Sequence, residues 1–167
     1  MIRTIADFER MWTAEIESTQ KVFQQLTDKS LTQEVAPGVR TLGRLAWHIT
    51  TTIPEMMERT GLTLTGPAPN DPVPSTAKAI LDAFTTASKS LLEQVKTKWM
   101  DATLEIADEM YGEKWKRGVT LNTLIQHQIH HRAQMTVVMR LAGLPVPGVF
   151  GPSHEEWAEY GMQPPSV

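Results

Sequence analysis

The chain has no cysteine. Disulfides, thiolate zinc sites and a cysteine nucleophile are therefore excluded together, and any thiolate in its chemistry must come from outside. Long apolar runs are also missing. Nowhere do about 18 uncharged apolar residues follow one another, so no membrane span is expected. Met1–Asp7 lacks an apolar stretch that could act as a signal peptide, and the cytoplasm is the expected location. A basic excess is the third absence: 16 Lys+Arg against 19 Asp+Glu leave a formal charge of −3. Such a chain lacks the basic face that counterion release on a nucleic acid requires, so no nucleic-acid partner is expected. The densest basic cluster, Lys114–Arg117, reads as a solvated turn.

What is present suits one soluble globular domain spanning residues 1–167. Domains of roughly 100–200 residues are the common size, and 41% hydrophobic with 21% charged is an ordinary globular balance. Apolar spacing predicts four helices. The first runs from near Ile5 to Leu26, with Thr4 as its cap. Pro37-Gly38 breaks the pattern before a second helix capped by Thr41, carrying Leu42, Leu45, Ile49, Ile53 and Met56 and stopping at Gly61. Pro54 inside it should remove one hydrogen bond and bend it. Residues 63–75, with Pro67, Pro69, Pro72 and Pro74, read as a stiff crossover. A third helix starts after Ser75 or Thr76 and reaches Trp99. Asp101–Gly118 is the least legible stretch; Tyr111-Gly112 suggests a turn, pairing Thr103–Ile106 with Lys114–Lys116 as a small hairpin. Thr120 is placed as the cap of the fourth helix, Leu121 to about Ala142, and Ser153–Glu156 has capping-box spacing for a short C-terminal helix. The expected fold class is all-α, a four-helix bundle. Trp12, Trp47 and Trp99 read as core or subunit-contact residues, and the nine methionines as packing.

Three of the five histidines lie in His127-Gln128-Ile129-His130-His131. Residues four apart on a helix share a face, so His127 and His131 can offer imidazoles to one ion. At about 100° per residue, His131 falls in the apolar stripe, His127 on its edge, and His130 points away. His48 flanks the stripe of the second helix, beside Thr52 and Glu55. Three neutral imidazoles plus an open position describe a catalytic rather than a closed zinc-type site. Spacing alone leaves the alternative open that these are core-edge histidines bonded to neighbours, because it does not show that the second and fourth helices touch. His130 and His154 read as solvated.

Thr41-Leu42-Gly43-Arg44-Leu45-Ala46-Trp47-His48-Ile49 with Ile53-Pro54-Glu55-Met56, and His127-Gln128-Ile129-His130-His131-Arg132-Ala133-Gln134, resemble the two histidine motifs of the DinB/YfiT-like superfamily. The tail from Met139 to Trp157 is similar to one of its branches. The resemblance implies that His48, His127 and His131 bind one divalent metal, zinc or nickel. It implies an up-down-down-up bundle and a homodimer. Ala133 stands where glycine is usual, and a helix favours alanine there by about 1 kcal/mol.

A metal so held lowers the pKa of bound water or activates the thiol of a small cosubstrate such as bacillithiol or mycothiol. A metal-dependent hydrolase or small-thiol-dependent S-transferase is therefore expected, acting on an unidentified small molecule. Glu55 is the candidate general base, and Gln134 and Thr52 are candidates to orient ligands from behind. Two other classes stand beside this: a non-catalytic stress-response bundle with a structural metal, and a metal-free interaction module.

Overall fold

The computed structural model describes residues 2–166. Among them are four long helices, α1 (Ile5–Phe23), α2 (Leu42–Glu58), α3 (Ala77–Lys98) and α4 (Arg117–Leu141), and one antiparallel hairpin, β1 (Ala107–Met110) with β2 (Glu113–Lys116). The chain is thus mostly helical, with a small sheet attached.

Three of the helices start where a side-chain oxygen can hold an orphan N–H. Thr4 accepts from Asp7, Thr41 from Arg44 and Thr76 from Ala79. Helix α1 stops at Phe23, short of the expected Leu26, yet Leu26 is still buried through the turn that follows. Helix α2 runs through Pro54, which is buried within it. Each helix turns its apolar stripe inward, and Phe8, Trp12, Phe23, Ile49, Ile53, Phe84, Leu91 and Leu121 lose nearly all solvent contact. Burial of this kind contributes about 1.5–3 kcal/mol per side chain before chain entropy is counted.

Packing runs around a ring in which α2 touches α3 and α4, and α1 touches the same two. Helices α1 and α3 are antiparallel: Glu9 meets Lys96, and Gln20 donates to Thr85. The indole N–H of Trp12 donates across to Ser88 O at 3.0 Å. The Trp47 indole donates to Asp71 O at 2.9 Å, pinning the proline-rich crossover to α2.

Two local expectations need correction. Thr103–Ile106 does not pair with Lys114–Lys116; it lies in and just after a short 3-10 turn, and the strand opposite is Ala107–Met110, with Ala107 facing Lys116. The turn itself stands where expected, Tyr111 (φ 54°) and Gly112 (φ 86°) both adopting the left-handed backbone that a two-residue hairpin loop demands. Thr120 does not cap α4. The helix leaves β2 directly at Arg117, and Thr120 is buried in its first turn, its hydroxyl 3.4 Å from Lys116 O. Chain direction out of the hairpin does the work a capping side chain would otherwise do. In the tail, Glu156 accepts from Ser153 N–H at 2.9 Å, half of the expected box, and the turns that follow form a 3-10 segment at Trp157–Tyr160.

Candidate metal centre

Helices α2 and α4 are joined by a buried contact that sets the site. The Gln128 amide, wholly buried, donates to Ile49 O at 3.0 Å. That bond lies one residue from both His48 and His127, so it brings their two faces together. One turn further along α4, Arg132 enters the core and pairs with Glu15 of α1, also donating to Thr19 Oγ1 at 3.0 Å. His131 sits between these two anchors along the helix.

The result is that His48, His127 and His131 converge. One ligand nitrogen from each lies within 4.8 Å of the others. His48 Nε2 and His127 Nε2 are 3.1 Å apart, and the ring centroids are separated by 4.4–4.8 Å, all edge-on. Metal–imidazole bonds of about 2.0–2.1 Å at tetrahedral angles separate two ligand nitrogens by roughly 3.3 Å. The observed spacing suits such an ion. The other ring nitrogen of His127, Nδ1, is buried without a hydrogen-bond partner. These three histidines could hold a metal ion.

Protonation favours the same use. Burial pushes His48 down to about 3, helped by the positive charge of Arg40. His127 is held at about 4, again first by burial and then by the neighbouring histidines. His131 is lowered by burial, against the opposing effect of its bond to Gln134. All three are neutral imidazoles near pH 7, the form a metal requires.

The residues expected around them fall into different places. Gln134 Oε1 lies 2.7 Å from His131 Nδ1. A carbonyl oxygen only accepts, so Nδ1 carries the proton and Nε2 keeps its lone pair. Thr52 donates to His48 O at 2.6 Å, and its oxygen is 3.5 Å from His48 Nδ1, at the outer limit for a hydrogen bond. Glu55 bonds to other partners than the rings: Arg59 donates to its Oε1 at 3.0 Å, and the Tyr111 hydroxyl to its Oε2 at 2.6 Å. Its charge still reaches His127.

Three further residues belong to the surroundings, and the sequence pattern assigned them no role. His130 is exposed as expected, yet its Nε2 lies 3.2 Å from Gln134 Nε2, extending the chain of contacts from His131 to the surface. Tyr111 comes from the hairpin tip, and only the turn signal Tyr111-Gly112 hinted at it. Arg40, in the loop before α2, lies near enough for its charge to lower all three histidines; no spacing rule points to a loop arginine.

The chain can be set against known proteins on this geometry. The family model described as DinB family matches residues 1–165. An uncharacterized protein of Bacillus subtilis strain 168, YrdA, is 44% identical over 167 residues, covering all of both chains. The crystal structure of a DinB-like protein from Bacillus cereus ATCC 10987 superposes with a TM-score of 0.87 at 47% identity, covering 90% of this chain and 100% of that one. A DinB-like protein of Bacillus subtilis, YjoA, shares the fold alone, with a TM-score of 0.64 at 16% identity over 84% of this chain and 96% of its own. Two histidine-bearing helices fastened together at Gln128, in a chain matched almost end to end, thus belong to a member of the DinB family.

Proposed function

We propose that the chain is a metal-dependent enzyme, a hydrolase or a small-thiol-dependent S-transferase, using one divalent ion per chain on His48, His127 and His131. Zinc is the expected metal and nickel the alternative. The observation that carries this reading is the convergence of three neutral imidazoles with no carboxylate among them. When bound, such an ion supplies Lewis-acid activation of a water or of an external thiol at its remaining position. The protein's own part is positioning. Gln134 fixes the His131 ring through its Nδ1–H, and Gln128 fixes the distance between the two helices. Glu55 is the proposed proton acceptor, with Tyr111 and Arg59 holding its carboxylate in place.

Metal content per chain, measured by elemental analysis on protein purified without a histidine tag, tests the site. One equivalent in the wild type and none in His48→Ala is expected. Metal-loaded protein is then assayed against amide, ester and alkyl-halide electrophiles, with and without a small thiol; turnover no greater than that of His131→Ala defeats the enzymatic reading. An up-down-down-up course is our reading of the topology, and the antiparallel contact of α1 with α3 and the long crossover after α2 support it. We also propose a homodimer, for which Phe150, Tyr160 and Met162 offer exposed apolar surface in the tail; sedimentation reads this directly. No helix of the described residues is long and apolar enough to cross a membrane.

A further inference from the structure

Beside the three histidines lies a groove of about 600 Å³, walled by Val35 and Val39 from the loop before α2, Leu45 of α2, and Val137 and Val138 of α4. Ligand sites commonly occupy about 300–1,000 Å³, so the size suits a small organic molecule. Three of its wall residues are unusually bare for apolar side chains: Val35, Val39 and Val137 are 54%, 46% and 57% exposed. Its polar members are two, Arg40 and Gln134. Gln134 is the residue bonded to His131. The groove therefore adjoins the metal centre at its polar end, through Gln134.

Charge is one-sided there. Arg40 has neither a hydrogen bond nor an acidic partner from its side chain among the described residues, and no acidic residue lines the groove. Arg44, one turn into α2, is likewise without an acidic partner. Every other arginine except Arg3 is salt-bridged: Arg10, Arg59, Arg117, Arg132 and Arg140. Three neutral imidazoles would leave the charge of a divalent ion uncompensated as well. A guanidinium set free at one end of an apolar trough is the complement of an anion with a hydrocarbon body.

We propose that this groove binds a small amphipathic carboxylate, with its head at Arg40 facing the histidines and its aliphatic body along Val35, Val39 and Val137. The inference deepens the enzymatic reading and rests on it for its catalytic meaning, while the groove's affinity can be read separately. The substrate class then becomes an aliphatic acid, or a molecule carrying a carboxylate beside the bond to be attacked. Arg40 is a substrate-anchoring residue in this scheme, and the valines select for length.

The test is calorimetric titration of the full-length chain with octanoate and with octanamide, its neutral counterpart, on metal-loaded and on chelator-treated protein. Saturable octanoate binding is expected, with octanamide weaker by about tenfold or more, one decade being the worth of a modest charged contact. Arg40→Gln should abolish that preference, and Val137→Glu should weaken octanoate by placing a like charge in the trough. Both positions are exposed, so folding is not at stake; thermal melting of each variant verifies this. Octanoate binding that survives in His48→Ala and still needs Arg40 upholds the groove even where the metal reading fails. The proposal is overturned if octanoate does not saturate either form, if octanamide binds equally well, or if Arg40→Gln changes nothing. Sedimentation showing a dimer that Val137→Glu dissociates would also overturn it, since a second copy would then fill the trough.

Discussion

Replacing Arg132 by leucine removes the cation from a carboxylate that has nowhere to go. Glu15 and Arg132 have side chains only 5% and 3% exposed. The guanidinium grips the carboxylate with two nitrogens and Thr19 with one of them. Breaking such a pair from one side typically costs about 3–5 kcal/mol, because the remaining charge stays buried without a partner. With a urea dependence of about 2 kcal/mol per molar, that is a midpoint drop of about 2 M. The double variant Glu15→Leu/Arg132→Leu should regain most of the loss, as paired charges replaced together by apolar groups are often neutral. The sign of the pH dependence is fixed too. Burial already raises the Glu15 pKa, and Arg132 opposes it. Without Arg132 the folded-state value climbs further, so above the ordinary carboxylate range the unfolded state binds fewer protons than the native one. Stability of Arg132→Leu must then fall as pH rises from 5 to 8, more steeply than in the wild type. Urea unfolding of metal-free protein at both pH values measures this. A loss below about 1 kcal/mol that does not vary with pH would refute the account of a dry, mutually dependent pair.

Gln134→Leu should lower metal affinity by about 10–100-fold while leaving the helix intact, read by competition with a chromogenic chelator, since the His131 ring loses its Nδ1 acceptor. The Glu155 carboxylate, hydrogen-bonded by Arg140 and by Val146 N–H, is held down at about 2; its stabilising effect is present above the ordinary value and is lost as pH falls through 2. Carbon-13 NMR should show that low titration, returning toward the ordinary glutamate value of 4.5 in Arg140→Met. Gly43→Ala should destabilise, because a Cβ there would meet the Leu31 backbone oxygen and Cβ at 3.0 Å. Overpacking of about 1–3 kcal/mol outweighs the roughly 1 kcal/mol that helix propensity returns, and thermal melting reads the balance.

Local periodicity made most of the helical skeleton legible. The Thr4 and Thr41 caps stand where the sequence put them, and Thr76 is one of the two starts offered for α3. The rotation of α4 was legible as well, with His131 buried, His127 half-buried and His130 exposed, because a wheel needs only the 3.6-residue repeat. Boundaries set by neighbours were not. Thr120 looks like a cap in isolation, but the hairpin delivers the chain already turning into α4, so the helix begins four residues sooner. The strand opposite Lys114–Lys116 was misplaced for a related reason: the turn residues fix the register, and a two-residue loop at Tyr111-Gly112 obliges Ala107–Met110 to be the partner.

The site itself divides along the same line. The pair on α4 is a property of one helix, and its spacing shows it. The third histidine requires α2 to lie against α4, and nothing periodic in either helix says so. Gln128 takes part in that contact, yet on sequence it reads as one more polar residue between two histidines. Its amide nitrogen is satisfied only by a carbonyl of another helix, and a buried amide without that partner would cost about 1–3 kcal/mol. The helix-to-helix contact and the satisfaction of the Gln128 amide nitrogen are thus a single fact, invisible until both helices are placed. Arg40 stands further still from any pattern. It comes from a loop opened by Pro37-Gly38, on a backbone that Gly38 bends at φ 80°, and its side chain acquires meaning only from what it faces. A motif can name the groups that would hold an ion, because helices space them regularly. What they would act upon depends on loop residues whose positions follow from tertiary packing alone.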